Sequence, residues 1–548
     1  MAPSDPTPAL LWNQVSLDIR GRSILKDIHL AVHRGECLAL VGESGSGKTL
    51  CCMAALGMLP DGGRLTSGRI QGLGETWSSA SGEELVAIPR GDRISMVFQE
   101  PMTSLDPTMR CGRQLQRVLR RHSGLDRKVA MDKARSLLEE VQMPDVDRAM
   151  SAYPHELSGG QKQRILIAMA LSNDPDILLA DEPTTALDST LRAELLSLLR
   201  ALQQRRGLAM VLVTHDMEVV ERHADRVAVL YRGEVVEQGP AKGVLTRPDH
   251  PYTRGLLACR IPRTGRPTPL PVMDTFLSGR AEVDGQDEIR TVLDEAPVLL
   301  EVRGATKTYP GSQDPALQDV SLVLREGGSL GIVGGSGCGK TTLARAILGL
   351  HALDSGTITV AGREVQGGLA EDLRHIRAHA GLVFQDPRAA LNPAKRIGSV
   401  LEEVLIRWGT DKKSAREEAG ALLESVGLDR SDLDKRPDAF SGGQRQRIVI
   451  ARALAARPRL LLCDEAVAAL DVSVQAQVLN LLVRLQAERG LALLFISHDL
   501  GVVRYLCDHT MVMDRGTVVE SADSQSIWST PEHPVTRRLQ AAGGGSID

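Results

Sequence analysis

The stretch Gly42-Glu43-Ser44-Gly45-Ser46-Gly47-Lys48-Thr49 decides the fold, because it has the composition and spacing of a phosphate-binding loop. In such a P-loop, backbone N–H groups that glycine leaves unobstructed converge on phosphates, and the following helix points its positive end at them. The loop requires a strand before it and a helix after it. The apolar run Cys37–Val41 predicts the strand, and residues 50–59 predict a helix that stops at Pro60.

The whole arrangement occurs twice. A second loop, Gly334-Gly335-Ser336-Gly337-Cys338-Gly339-Lys340-Thr341, lies 292 residues after the first. The spacing from serine to aspartate is 23 residues in both copies, and from aspartate to histidine it is 34. We therefore interpret the chain as a tandem repeat of a nucleotide-binding domain. The features that follow each loop in the same order are Gln99 and Gln385, Ser158-Gly159-Gly160-Gln161 and Ser441-Gly442-Gly443-Gln444, Asp181-Glu182 and Asp464-Glu465, and His215 and His498.

The residue types indicate ATP chemistry. In a P-loop the lysine reaches the β- and γ-phosphates, and the threonine offers its hydroxyl to Mg²⁺, which assigns Lys48 and Thr49, and Lys340 and Thr341. Asp181 and Asp464 each end an apolar strand. In a parallel sheet ligands bind at the carboxyl ends of the strands, so both aspartates are predicted to hold Mg²⁺. The adjacent Glu182 and Glu465 are placed to polarise the attacking water. The competing interpretation of each Asp-Glu pair is a helix N-terminal cap.

Composition excludes several classes of protein. The net charge of −4 comes from 65 basic and 69 acidic residues without a basic stripe, which gives no support for nucleic acid as a ligand. No apolar run approaches the roughly 20 residues of a membrane span. The first residues, Met1-Ala2-Pro3-Ser4-Asp5-Pro6, lack the features of a secretory signal, so a cytoplasmic location is expected. The eight cysteines form no ligand-spaced cluster, and buried thiols are the simpler interpretation.

The order of P-loop, glutamine, Ser-Gly-Gly-Gln, Asp-Glu and histidine resembles the ATP-binding-cassette (ABC) ATPases, whose signature is the Ser-Gly-Gly-Gln element. The resemblance covers both repeats. It implies an α/β fold: two tandem P-loop NTPase domains, each with a mostly parallel core sheet, an antiparallel β subdomain and a helical subdomain. It also implies head-to-tail domains, in which each ATP lies between the P-loop of one domain and the signature of the other.

The resemblance assigns further roles. Gln99 and Gln385 would contact Mg²⁺ and the attacking water, and His215 and His498 would contact the γ-phosphate. The site of Lys48 would be closed by Ser441 to Gln444, and that of Lys340 by Ser158 to Gln161. The implied catalytic residues are Glu182, Glu465, His215, His498, Gln99 and Gln385, and the implied metal ligands are Thr49, Gln99, Asp181, Thr341, Gln385 and Asp464.

Three positions depart from the family pattern. The family often stacks adenine on an aromatic side chain before the P-loop, and Tyr309, 31 residues before Lys340, fits that role. The matching position in the first repeat is Ile19, which cannot stack. Phe440 replaces the usual leucine before the second signature, and Ala466 stands where the first repeat has Pro183.

Finer details resemble the ATPases of peptide/nickel importers, here with two domains fused. These details are Gln-Glu-Pro at 99–101, Gln-Asp-Pro at 385–387, and the elements His250-Pro251-Tyr252-Thr253 and His533-Pro534-Val535-Thr536. The resemblance implies ATP and Mg²⁺ as cofactors and a place on the cytoplasmic face of the inner membrane. Implied partners are two integral-membrane permeases, docking near residues 99–107 and 385–393, and an extracytoplasmic solute-binding protein. No nucleic acid and no iron–sulfur cluster are expected.

The predicted domains are residues 10–262 and 298–540, joined by a proline-bearing, net acidic linker at 263–297 and followed by a flexible tail at 541–548. Two alternatives stay open beside an importer of peptides, nickel, a metal–chelator complex or a related solute. One is a double cassette acting on ribosomes, which the short acidic linker disfavours. The other is the ATPase of an exporter, a class that usually fuses a membrane domain.

Overall fold

A computed structural model of the chain describes residues 7–81, 85–99, 104–184, 187–262, 265–279, 286–287, 295–312, 314–365, 367, 369–468 and 470–542. The chain divides into two compact units. Unit 1 contains Met1–Leu187, Leu191–Ala258 and Met273–Arg280, and unit 2 contains Asp188–Thr190, Cys259–Val272 and Ala281–Asp548. Most of the predicted tail, much of the predicted linker and residues 100–103 lie outside the described residues.

Unit 1 has two sheets. Their strands are β1 (Leu10–Ile19), β2 (Arg22–Val32), β3 (Cys37–Val41), β4 (Gly63–Gly72), β5 (Glu75–Ser79), β6 (Ile94–Val97), β7 (Ile177–Asp181), β8 (Ala209–Val213), β9 (Arg226–Tyr231) and β10 (Glu234–Pro240). The core sheet has the order β10-β9-β3-β8-β7-β6, in which only the edge strand β10 is antiparallel to its neighbour. The second sheet, β2-β1-β4-β5, is antiparallel.

The helices of this half are α1 (Lys48–Ala55), α2 (Cys111–Ser123), α3 (Arg127–Glu140), α4 (Val146–Ser151), α5 (Gly159–Ala170), α6 (Ser189–Arg206), α7 (Met217–His223), α8 (Ala241–Thr246), α9 (Pro251–Ala258) and α10 (Met273–Ser278). Helices α2, α3 and α4 lie between β6 and β7 in the chain and form the helical subdomain. The parallel sheet, antiparallel subdomain and helical subdomain of the prediction are therefore confirmed.

Unit 2 repeats this plan. Its strands are β11 (Pro267–Thr268), β12 (Gln286–Asp287), β13 (Val298–Lys307), β14 (Leu317–Arg325), β15 (Ser329–Val333), β16 (Ser355–Val360), β17 (Arg363–Val365), β18 (Ala380–Val383), β19 (Leu460–Asp464), β20 (Ala492–Ser497), β21 (His509–Asp514) and β22 (Thr517–Asp523). The core order is β18-β19-β20-β15-β21-β22, with β22 antiparallel, and the antiparallel sheet is β14-β13-β16-β17. A small antiparallel pair joins β11 to β12.

The helices of the second half are α11 (Lys340–Ile347), α12 (Ala370–His379), α13 (Pro387–Ala390), α14 (Ile397–Arg407), α15 (Ala415–Ser425), α16 (Gly442–Leu454), α17 (Val472–Arg489), α18 (Leu500–Leu506), α19 (Ser524–Ser529) and α20 (Pro534–Ala542). Helices α14 and α15 lie between β18 and β19 in the chain and form the helical subdomain.

The inner strands β3 and β8 are buried and apolar throughout, as a covered parallel sheet requires. Successive side chains of a strand point to opposite faces. In β7, Leu178 and Ala180 join the apolar cluster that contains the helical subdomain, whereas Ile177 and Leu179 join the cluster that contains the antiparallel sheet. The carboxyl end of β7, which carries Asp181, is thereby held between two packed layers.

Helix α1 is shorter than the sequence predicted. It ends at Ala55 instead of continuing to residue 59, because Gly57 adopts a left-handed conformation with φ of 61°. The N–H of Met58 then bonds the carbonyl of Met53 at 2.9 Å, and the N–H of Gly57 bonds that of Ala54 at 3.0 Å. These two bonds form a Schellman C-cap, which ends a helix without proline.

Candidate active sites

Each predicted P-loop connects the central strand of a core sheet to a helix. In unit 1 the loop runs from β3 to α1, and Gly42, Gly45 and Gly47 have φ values of 149°, 83° and 107°. A Cβ on Gly42 would lie 2.2 Å from the carbonyl oxygen of Leu230, so no other residue fits there. Glycine is thus required by both the backbone conformation and the packing.

The P-loop lysines are held over the loop carbonyls. The Nζ of Lys48, a residue only 5% exposed, donates to the carbonyls of Gly42 at 2.7 Å and Glu43 at 2.9 Å. In unit 2, Nζ of Lys340 donates to the carbonyls of its own first two loop residues, each at 2.8 Å. Both ammonium groups therefore lie inside the curve of the loop, where phosphate oxygens are expected.

The aspartates that end β7 and β19 lie beside the loops, Asp181 buried and Asp464 half-buried. The hydroxyl of Thr49 donates to Oδ1 of Asp181 at 3.1 Å, which brings two predicted metal ligands together. Burial raises the pKa of Asp181 to about 6, and the bond from Thr49 acts in the opposite direction. Burial also raises the pKa of Asp464. A cation at these carboxylates would relieve the cost of burying their charge.

The predicted catalytic glutamates contact the predicted glutamines and histidines. In unit 1, Nε2 of Gln99 donates to Oε2 of Glu182 at 2.9 Å, and Nδ1 of His215 lies 3.4 Å from Oε1 of the same carboxylate. The three side chains come from three separate elements of the chain, so the fold assembles them.

Unit 2 assembles the same triplet. Nε2 of Gln385 donates to Oε2 of Glu465 at 2.6 Å, and Nδ1 of His498 lies 3.6 Å from Oε1. The neighbouring His498 holds the pKa of Glu465 below its ordinary value against the effect of burial. The carboxylate is therefore ionised at neutral pH, as a residue that polarises water must be.

Both signature elements are helix N-termini closed by capping boxes. In unit 1, Oγ of Ser158 accepts from the N–H of Gln161 at 3.3 Å, and Oε1 of Gln161 accepts from the N–H of Ser158 at 3.0 Å. Ser441 and Gln444 repeat both bonds at the same distances. Such a box orients the serine and leaves the glycine N–H groups at the positive end of the helix.

Tyr309 follows β13 and lies beside the second P-loop helix. Its hydroxyl donates to Oγ1 of Thr342 at 3.4 Å. The matching strands β1 and β13 of the two antiparallel sheets each have a bulge at a residue with positive φ, Gln14 in β1 and Gly304 in β13. Five residues beyond each bulge are Ile19 and Tyr309, so the two positions correspond in the fold.

Tyr252 was not predicted as a functional residue, although it lies in the element His250-Pro251-Tyr252-Thr253 that indicates the importer branch. The Tyr252 hydroxyl accepts a hydrogen bond of 2.9 Å from the backbone N–H of Glu43, in the first P-loop. The only signal in the sequence is a difference between the repeats, because the corresponding residue of the second element is Val535.

All eight cysteines are buried as free thiols. Among the residues that the structure describes, no group of three or more His, Cys, Asp or Glu side chains is arranged to share a metal ion. Within the same residues, no helix combines the length and the apolar character needed to cross a membrane.

Comparison with known proteins identifies the family. Residues 25–185 and 317–468 match the ABC transporter family, and residues 236–272 match the oligopeptide/dipeptide transporter C-terminal region. The chain is 38% identical over 577 residues to the glutathione import ATP-binding protein GsiA of Pectobacterium atrosepticum, covering 98% of this chain and 91% of that protein. It is 40% identical over 542 residues to the protein of the same name from Salmonella typhimurium, covering 94% and 86%.

Two P-loop domains with signature-capped helices define an ABC ATPase, and the chain belongs to the ABC transporter family. Within it, the chain is an ATPase of the oligopeptide-type importer branch with two cassettes in one chain, and it couples ATP hydrolysis to transport. These relatives give no support to the ribosomal or exporter alternatives.

Proposed function

We propose that the chain powers uptake of short peptides of the glutathione class, with each cassette supplying a complete catalytic set. The proposal that both cassettes hydrolyse ATP rests on a contact found in each of them, in which a glutamate meets a glutamine and a histidine beside a P-loop. The proposal for the cargo rests on the relatives that are named as glutathione importers.

In this proposal each P-loop binds the phosphates of one ATP, with Lys48 or Lys340 as the cationic contact. Mg²⁺ fits the donor set, because the oxygens of Thr49 and Asp181 are hard ligands already in contact at 3.1 Å. Bound Mg²⁺ would neutralise charge on the phosphates. Glu182 and Glu465 would orient the attacking water, with the partner glutamine and histidine holding each carboxylate in place.

Each signature is proposed to contact the γ-phosphate of an ATP molecule. The exposed Gly442 is free of side-chain neighbours, since a Cβ there would meet nothing within 4 Å. An uncovered helix N-terminus with its serine oriented by a capping box suits an anionic γ-phosphate.

The partners are proposed to be two integral-membrane permeases and an extracytoplasmic solute-binding protein, with the ATPase peripheral on the cytoplasmic face of the inner membrane. No nucleic acid or iron–sulfur cluster takes part. The permeases would contact the chain near Gln99 and Gln385. These glutamines donate to the catalytic carboxylates of Glu182 at 2.9 Å and Glu465 at 2.6 Å, so movement of a permease would be transmitted to the catalytic residues.

The test is uptake in cells that produce the chain together with its proposed permeases and binding protein. Labelled glutathione, a tripeptide of alanine and Ni²⁺ are compared as cargo. We expect uptake of glutathione that is lost in the Glu182→Gln, Glu465→Gln double variant. Uptake of Ni²⁺ alone would overturn the peptide assignment, whereas uptake of glutathione by the double variant would overturn the catalytic one.

A further inference from the structure

The element at residues 250–253 is held in unit 1 by side chains that accept hydrogen bonds from backbone N–H groups. The Glu237 carboxylate accepts from the N–H of Asp249 at 2.9 Å and from that of His250 at 3.1 Å. Nδ1 of His250 in turn accepts from the N–H of Tyr252 at 3.2 Å. The backbone of the element is thus set independently of the Tyr252 side chain.

The second cassette holds its element in the same way. Glu520 accepts from the N–H groups of Glu532 and His533, each at 3.0 Å, and Nδ1 of His533 accepts from the N–H of Val535 at 3.3 Å. The two elements therefore share one backbone arrangement. They differ in the side chain at one position, Tyr252 in the first and Val535 in the second.

Tyr252 uses this position to reach the phosphate-binding loop. Its side chain is completely buried, with its ring 4.2 Å from that of Tyr231, and its hydroxyl accepts the N–H of Glu43 at 2.9 Å. The carbonyl of Glu43 accepts from Nζ of Lys48 at 2.9 Å. Both backbone polar groups of Glu43 are consequently held, the N–H by Tyr252 and the carbonyl by the P-loop lysine Lys48.

The backbone of the second P-loop is less constrained at the residue that corresponds to Glu43. Gly335 replaces Glu43 and follows another glycine, Gly334, whereas valine provides no hydroxyl at residue 535. Glycine has more conformational freedom to lose when a loop becomes ordered. Ordering that loop around phosphates costs more free energy, because in the described part of the chain no side chain holds the Gly335 N–H as Tyr252 holds that of Glu43.

We propose that Tyr252 is a positioning residue that preorganises the first P-loop for ATP, which gives the oligopeptide/dipeptide-type C-terminal region a role at one of the two sites. The inference rests on the proposed function, in which both loops bind ATP phosphates. The backbone of the first P-loop is then the more rigid of the two where it binds the phosphates.

The test measures ATP affinity at one site at a time in the full-length chain. In a Lys340→Ala background, which weakens the second site, Tyr252→Phe should lower ATP affinity by about two- to tenfold, the range that one neutral hydrogen bond supplies. In a Lys48→Ala background the same change should have no effect. In steady-state assays it should raise KM more than it lowers kcat, because the loop contact already exists in the ground state.

Two controls separate this role from general stability. Tyr231→Phe removes the phenolic hydroxyl of the ring that packs against Tyr252. Val535→Ala alters the matching position of the other cassette. Neither should change ATP affinity at the first site. If Tyr252→Phe lowers the midpoint of thermal unfolding but leaves first-site affinity unchanged, the residue is merely structural and the inference fails.

A double-mutant cycle identifies the bond itself. Glu43→Pro removes the backbone donor, since proline has no N–H. Tyr252→Phe should then cost nothing further, and additive losses would overturn the inference. Retention of full ATP binding in a Lys48→Ala, Lys340→Ala double variant would instead overturn the proposed ATP sites, so the two failures are distinguishable.

Discussion

Glu182 and Glu465 occupy backbone conformations that residues with a side chain rarely adopt. Their φ values are 42° and 48°. Each is kept there by its own N–H, which bonds the carbonyl of Val213 at 3.1 Å or of Ile496 at 2.9 Å in the adjacent strand. Strained residues of this kind cluster at functional sites, where the surrounding structure holds them. The same strain in both cassettes supports a shared catalytic role.

Glu182→Gln and Glu465→Gln preserve shape and remove charge. Combined, they should slow ATP hydrolysis by at least about 10²-fold, the usual scale of a lost general base, while ATP binding persists. Each single change should leave partial activity unless the sites are strongly coupled. Phosphate release and ATP titration measure the two effects. Glu424→Gln, in an exposed ion pair with Arg430, serves as the control, and normal turnover by the double variant would refute the assignment.

The two signature glycines of unit 2 have different reasons to be glycine. A Cβ on Gly443 would lie 2.1 Å from Cγ1 of Val474, whereas one on Gly442 would meet nothing. Gly443→Ala should destabilise the fold by about 1–3 kcal/mol through overpacking. Gly442→Ala should leave unfolding unchanged and reduce hydrolysis only. Denaturant unfolding and ATPase assays separate the two, and equal stabilities would contradict the packing argument.

At the scale of elements, the sequence predicted strands and loops better than helix ends. Strand β3 has the predicted bounds, because a short apolar run before a Gly-rich loop has few alternatives. Helix α1 ends four residues early, because the left-handed C-cap at Gly57 depends on a backbone conformation and not on a periodic pattern. The contact of Tyr252 with Glu43 was invisible for a related reason, since it joins residues 209 positions apart.

The adenine side of the two sites is predicted to differ. Tyr309 is anchored to Thr342 in α11, and the corresponding residues of unit 1 are Ile19 and Leu50. Tyr309→Ala should lower ATP affinity at the second site, since stacking of a base on an aromatic ring contributes roughly 1–3 kcal/mol. Ile19→Tyr should raise it at the first, where GTP should also compete better. Site-resolved titration tests this, and equal nucleotide selectivity at both sites would refute it.

At the scale of the whole molecule, the predicted linker at 263–297 is only partly a linker. Leu270 is buried in the core of unit 2, and the Asn480 side chain bonds both its N–H and its carbonyl at 2.8 Å. The buried Arg504 donates to the carbonyl of Gly265 at 2.9 Å. Sequence reasoning could not find this packing, because the segment has no apolar period and its partners lie more than 200 residues away. The boundary at residue 298 remains our prediction.

These contacts predict how the second cassette behaves alone. The fragment 259–548 should unfold at a higher denaturant concentration than the fragment 298–548, which lacks the packed segment. Leu270→Ala in the longer fragment should cost about 2–5 kcal/mol of the free energy of unfolding, as for other buried leucines. Leu277→Ala should have little effect, because that side chain is 40% exposed and belongs to a helix of unit 1. Equal stability of the two fragments would mean that residues 259–297 contact unit 2 without stabilising it, and that the second cassette is complete from residue 298 onward.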